Sequence, residues 1–553
     1  MMKLERLMPQ LLVPALLFSS SLMAEPPRLV VVVVIDQMRA DYLDVFGDDF
    51  EGGFARLRED GAVFTDAHQD HAITSTSPGH SSISTGVYPS RHGVVANEFF
   101  HRGENRAVGA VADEMTEPVG VDDDEGSSPF RLLRPTLGDW LKQTHPEGKV
   151  LSVSLKDRSA ILLAGRSADA AYWFDVSTGS FISSKHYVAS LPDWVVAYND
   201  SDAWTKYHGM QWSRSAPDST YRDLPWPELA GRDPDQYASL PRAISDADDP
   251  IGRRLFARLR SSPFGDLETL NFAREMIEGE SMGEDAVPDV LFIGLSATDN
   301  IGHRVGPYSD EIHDHLLRLD NFLGDFLDDL DARVGAENYL VAVSADHGAP
   351  PVPELLQDID IDAGRVHPDT LVDFIRPVVE DAVAAGEIPS MPELDYTTGP
   401  FFLFQDDRPP SSELTALRRR VAARLMTHPG VAGAYTYDAL IAGNIEDPEF
   451  GVLFARSFHP ERAPDVTVRL RENYILRESE TGTSHGSPYR YDTHVPIVFL
   501  GAGIASGRHS GRVRSVDMAP TLASFLEIPV PDDLDGLDRS ELIRSSMRTH
   551  EEP

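Results

Sequence analysis

Val30 to Ile35 is an unbroken run of β-branched residues that stops at Asp36. Three other apolar runs are punctuated in the same way. Val290 to Leu295 leads to Asp299, with His303 four residues later, and Tyr339 to Ser344 leads to the adjacent pair Asp346 and His347. A Thr-Ser-His-Gly stretch places His485 ahead of Val495 to Leu500. Runs this apolar belong to parallel sheets covered on both faces. Open α/β sheets collect their ligands at the carboxyl ends of their strands. Four distant segments are therefore predicted to converge on one site that offers three carboxylates and three imidazoles. Such a set suits two divalent metals, zinc above all.

The remaining composition narrows the class. The chain of 553 residues contains no cysteine, so neither disulfides nor thiolate ligands nor a cysteine nucleophile are available. Its 49 basic and 89 acidic residues give a formal charge of -40, which argues against a nucleic-acid-binding surface and for a well-solvated one. Lys3 and Arg6, the apolar Leu11 to Phe18 and the small residues up to Ala24 read as a signal peptide over 1–24. Beyond it, no run approaches the ~20 apolar residues needed to cross a bilayer. The expected location is periplasmic or secreted. A single catalytic domain is expected over 25–553. Stretches rich in Trp, Tyr, Pro and Asp at about 159–288, and rich in Pro turns at about 350–480, are expected to be insertions that form a cap or lid.

Ile312, Leu316, Leu319, Leu323, Phe326 and Leu330 recur at steps of three and four, which predicts a helix linking the strands near 290 and 339. Ile73-Thr74-Ser75-Thr76-Ser77-Pro78-Gly79-His80 is a hydroxyl-dense turn, with a helix expected at Ser81 to Thr85. A hydroxyl at a helix N-terminus favours an anion. By itself the segment reads rather as an N-cap of interchangeable hydroxyls, because hydroxyl clusters are common. Lys156 and Arg158, two apart after the strand-like Val150 to Leu155, are predicted to point the same way on an extended segment.

Thr76-Ser77-Pro78-Gly79-His80, Thr85-Gly86-Val87-Tyr88-Pro89-Ser90-Arg91-His92-Gly93 and Asn97 together resemble the alkaline phosphatase superfamily. More narrowly, they resemble the phosphate-irrepressible, PafA-type enzymes, relatives of the nucleotide pyrophosphatase/phosphodiesterases. The resemblance runs from about residue 28 to about 540. It implies an α/β fold with a central, mostly parallel sheet sandwiched by helices and interrupted by cap segments. It implies Thr76 as nucleophile, forming a phosphothreonine intermediate. Asp299, His303 and His485 would hold one zinc, and Asp36, Asp346, His347 and the Thr76 oxygen the other. Lys156, Arg158 and Asn97 would bind the phosphoryl group, and His80 and His92 would support the loop. The expected substrates are small phosphate monoesters. A phosphodiesterase or nucleotide pyrophosphatase is the alternative, with Tyr172, Trp173 and Phe174 as a platform for a base or lipid. A non-catalytic binding protein of the same fold is the remote one. Cysteine-derived sulfatase chemistry is excluded by the lack of Cys, and a phosphomutase is disfavoured by the signal.

Overall fold

The computed structural model describes residues 25–545 apart from 123–124, 202, 222–239, 397 and 405–407. The expected signal segment lies outside the described residues. Among the described residues, ten strands form the central sheet: β1 (Leu29–Ile35), β2 (Ala62–Phe64), β3 (Pro118–Val119), β4 (Val150–Ser154), β5 (Ala170–Asp175), β6 (Ser180–Ser184), β7 (Asp289–Leu295), β8 (Tyr339–Ser344), β9 (Ile497–Gly501) and β10 (Gly507–His509). Their spatial order is β10-β2-β9-β8-β1-β7-β4-β5-β6-β3. The middle five, from β8 to β5, run parallel. β9 is antiparallel to both of its neighbours, β8 and β2.

β1 explains why the sheet is central. None of its residues is more than 1% exposed. Leu29, Val31, Val33 and Ile35 enter the hydrophobic cluster on one face, and Val30, Val32 and Val34 enter the cluster on the other, as the two-residue period of a strand requires. Fully burying one such side chain is worth roughly 1.5–3 kcal/mol. The helices that matter for the site are α1 (Thr76–Thr85), α2 (Asp157–Ala164), α3 (Arg253–Arg260), α4 (Pro263–Gly279), α5 (Ala297–Val305) and α6 (Asp310–Arg333). α6 is the expected crossover helix, and its six periodic apolar residues are buried.

Two expectations change. Residues 170–175 and 180–184, assigned by composition to the first insertion, are strands β5 and β6 of the sheet. Aromatic residues are good strand formers, and Tyr172, Trp173 and Phe174 are buried, so they offer no platform to a ligand. By contrast, residues between Val366 and Val466 build a separate hydrophobic cluster of their own.

The edge of the sheet explains the convergence. Asp36 follows β1, Lys156 follows β4, α5 with Asp299 follows β7, and Asp346 follows β8. Ser344 at the end of β8 pairs with Ile497 at the start of antiparallel β9, so the segment that precedes β9 enters at the same edge. That segment carries His485.

Candidate active site

Among the described residues, Asp36, Asp346 and His347 form one cluster with ligand atoms within 4.8 Å of one another, and Asp299, His303 and His485 form a second. These are the two sets expected from sequence. Each imidazole is held from behind. Nδ1 lies 2.9 Å from the Gly348 carbonyl in His347, 3.0 Å from that of Thr483 in His303 and 2.8 Å from that of Thr74 in His485. A carbonyl partner makes Nδ1 the protonated nitrogen and leaves the Nε2 lone pair free, the usual arrangement around a metal-binding histidine. Asp36 Oδ1 and His347 Nε2 are buried with no hydrogen-bond partner among the described residues. The donor set thus fits two divalent cations, and the orphaned atoms point to where one belongs.

Electrostatics agree with that fit. Burial, and then repulsion from Asp346, pushes the Asp36 carboxyl well above the ordinary carboxylate range. Burial also opposes ionisation of Asp299, but His303 and Lys156 hold its carboxyl well below that range. Burial, with His347 and His303 nearby, keeps His485 neutral to well below its usual value. A neutral imidazole beside crowded carboxylates is the state that binds a metal.

Thr76 is the first residue of α1, following Ser75 in extended conformation. The helix therefore starts five residues earlier than the expected Ser81, because Pro78 sits within its first turn, where its missing N–H costs nothing. The hydroxyls of Ser75 and Ser77 are buried without partners, while Thr76 Oγ1 lies 3.5 Å from Lys156 Nζ. Gly79 is required by packing: a Cβ there would stand 2.6 Å from Asp346 Cβ. His80 joins the same elements, with Nδ1 2.9 Å from the Thr76 carbonyl and 3.1 Å from Asp346 Oδ2. Asn97 Oδ1 accepts from the Ser77 N–H at 2.8 Å, which fixes the amide beside the first turn of α1. His92 is tied into the loop through Ser82 and Val94, and His494 stacks on His68 and belongs to neither set.

Lys156 and Arg158 do not lie on an extended segment. β4 ends at Ser154, Lys156 occupies the cap position, and Arg158 is in the first turn of α2. Lys156 Nζ donates to Asp36 Oδ2, and to Asp299 Oδ2 at 2.6 Å, so one ammonium ties the two clusters together. Burial lowers its proton affinity, yet the carboxylates of Asp299 and Asp36 hold it above its usual value. The Arg158 side chain is 31% exposed, and among the described residues its one ion pair is with Asp157, at 3.8 Å.

Sequence reasoning missed Gln37. Its backbone N–H donates to Asp346 Oδ1 at 3.1 Å and its side-chain amide to Asp299 Oδ1 at 2.6 Å, so it touches both clusters. It adopts φ 66°, a left-handed conformation that costs a non-glycine residue free energy and that concentrates at functional sites. An amide after an aspartate carries no periodicity signal that could have revealed this.

A cleft of about 400 Å³ opens beside the site, lined by Asn97, His303, His485, Tyr396, Phe454 and Tyr491 among others. The type I phosphodiesterase/nucleotide pyrophosphatase family model matches residues 30–488. The chain belongs to that family. It is 32% identical to alkaline phosphatase PafA of Elizabethkingia meningoseptica over 94% of each chain. It is 32% identical to alkaline phosphatase PhoV of Synechococcus elongatus over 94% of this chain and 93% of the relative. The crystal structure of wild-type PafA superposes with a TM-score of 0.84 at 30% identity, covering 94% of this chain and 99% of the other. The chain is thus a metal-dependent hydrolase of phosphoric esters on an alkaline-phosphatase-type α/β fold.

Proposed function

We propose that the protein is an exported phosphomonoesterase with two zinc ions, acting through a phosphothreonine intermediate. The observation that carries this reading is Lys156, whose ammonium sits between Asp36 and Asp299 and 3.5 Å from Thr76 Oγ1. A fixed, buried cation at that point matches the charge of a monoester dianion, and phosphoryl transfer depends on such electrostatic placement. Asp36, Asp346 and His347 would hold one ion and Asp299, His303 and His485 the other. Two such ions would polarise the reacting oxygens and offset the charge of the phosphoryl group.

The protein's own groups then have distinct tasks. Thr76 Oγ1 forms the new bond to phosphorus as the ester oxygen leaves with its electron pair. Water subsequently cleaves the phosphothreonine, returning the threonine hydroxyl and releasing inorganic phosphate. The positive end of α1 and the amide of Asn97 face the nonbridging oxygens, and Arg158 adds a guanidinium able to bridge two of them. The signal segment 1–24, the catalytic domain 25–553 and a periplasmic or secreted location complete the proposal. Among the described residues, no helix is long and apolar enough to cross a membrane.

A diester or pyrophosphate substrate is the second reading, favoured by the aromatic lining of the cleft at Tyr396, Phe454 and Tyr491. Rates on an aryl phosphate and on its methyl diester, measured side by side on metal-analysed protein, decide between them. The monoester should be faster. Removal of Lys156 and Arg158 together should cost the monoester orders of magnitude and the diester far less. A wild type faster on the diester would reverse the assignment.

A further inference from the structure

The chain that carries His485 first passes the end of α5, the helix that carries His303. The Thr483 N–H donates to the His303 carbonyl at 3.1 Å, and His303 Nδ1 lies 3.0 Å from the Thr483 carbonyl. Gly482 makes this approach at φ 74°, and a Cβ there would overlap the His303 carbonyl oxygen. The two segments are thus laid directly on each other, and the angle of the His303 ring follows the position of Thr483.

Arg477 holds that position. Its Nη1 donates to the Thr483 carbonyl at 2.6 Å, its Nη2 to the His303 carbonyl at 3.0 Å and its Nε to the Thr481 carbonyl at 2.8 Å. Nη1 stands 3.4 Å from His303 Nδ1, because both point at one oxygen. A cation on carbonyls at the end of a helix is common by itself. Here the acceptors are the backbone of a candidate ligand and the oxygen that orients its ring. A planar guanidinium can fix both at once.

The same residue ties the site to the separate hydrophobic cluster. Arg477 follows the strand Tyr474–Leu476, which pairs in parallel with Gly364–Val366, and its own N–H donates to the Val366 carbonyl at 3.0 Å. Val366 belongs to that cluster, and Arg365 donates to the Gly482 carbonyl at 2.6 Å.

We propose that Arg477 is a positioning residue: by holding the Thr483 carbonyl against His303 Nδ1, it sets the affinity of the zinc ion bound by Asp299, His303 and His485. The inference rests on the two-zinc reading above and extends it to a residue that touches neither ion. Losing the partner that orients a metal-binding imidazole typically costs about ten- to a hundredfold in affinity.

The test compares wild type, Arg477→Met, Arg477→Lys and, as a control in the same segment, Arg471→Ala, whose side chain is 46% exposed and pairs with Asp362. Chelator competition gives the two zinc dissociation constants, and anomalous diffraction from partly stripped crystals shows which cluster empties first. In Arg477→Met, the ion at Asp299, His303 and His485 should bind about ten- to a hundredfold more weakly and the other as in wild type. Its kcat should recover in excess zinc, which loss of a purely structural contact would not allow. Arg477→Lys keeps the charge without the planar fork, so it should lose an intermediate amount at the same ion. This variant decides alone if Arg477→Met does not fold. Arg471→Ala should match wild type. Zinc constants unchanged in the Arg477 variants, or both ions weakened equally, would overturn the proposal and leave Arg477 a packing residue. A wild type that binds zinc at neither cluster would defeat the two-zinc reading, and this proposal with it.

Discussion

The two ligand clusters are built from similar side chains and differ in how they are held. Asp36, Asp346 and His347 are fully buried, and they come from the ends of neighbouring strands β1 and β8. Asp299 and His303 come from a helix and His485 from a loop, and the His303 side chain is 29% exposed. The closed cluster lies against α1, where Asp346 touches Gly79 and His80. The open cluster lines the cleft through His303 and His485. The contrast suggests a division of labour. On the proposed mechanism, a dry cluster beside Thr76 would keep its geometry without substrate, and the more accessible one would meet the leaving group.

Thr76, the proposed nucleophile, should give the largest effect. Thr76→Ala should lower kcat by at least about a thousandfold, with zinc content retained. Thr76→Ser should keep a measurable part, and acid quench during turnover should trap phosphate on the peptide containing Thr76. Label on Ser75 or Ser77 instead would move the closed cluster's partner and break the comparison.

Ligand loss should separate the clusters next. His303→Ala, at the exposed edge, should lose zinc affinity but recover activity in excess zinc. Asp346→Ala should not recover, because that carboxylate also accepts from Gln37 N–H at 3.1 Å and His347 N–H at 2.9 Å. Equal rescue of both variants in a zinc-dependence assay would show that burial makes no difference.

Gln37→Leu sharpens the same contrast. It leaves the backbone bond to Asp346 and removes the amide bond to Asp299. Loss of such an outer partner typically costs about ten- to a hundredfold in metal affinity. Competition with a chelator should show that loss at one of the two zinc ions. Weakening of both by the same factor would mean that Gln37 acts through its backbone conformation.

How much of this was legible depends on what each residue's neighbours reveal. The two candidate ligand clusters could be anticipated because apolar runs mark strand ends and leave carboxylates and imidazoles as punctuation. Lys156 and Arg158 stood out by charge, but their geometry was misjudged because nothing in Leu155-Lys156-Asp157 shows that the strand has already ended. Strands β5 and β6 were hidden by aromatic residues that suit an insertion equally well. Gln37 depends on a left-handed backbone that no neighbouring residue encodes.

The smallest predicted effect lies beneath the open cluster. Asp266 Oδ1 accepts from the Ala297 N–H at 2.9 Å at the start of α5, and burial raises its carboxyl from 3.8 to about 7. The folded state thus holds this proton more tightly than the unfolded one. Its stability contribution is complete below about pH 4 and is lost as pH rises towards 7. Asp266→Asn should flatten the stability profile across that window in denaturant titrations, and an unchanged slope would remove Asp266 from the account.

The most direct measurement of the central claim is anomalous diffraction at the zinc edge from crystals of the zinc-loaded enzyme. Two peaks are predicted, one enclosed by Asp36, Asp346 and His347 and the other by Asp299, His303 and His485. A single peak, or strong density at another group such as Asp66, His68 and His494 with one of these clusters empty, would contradict it.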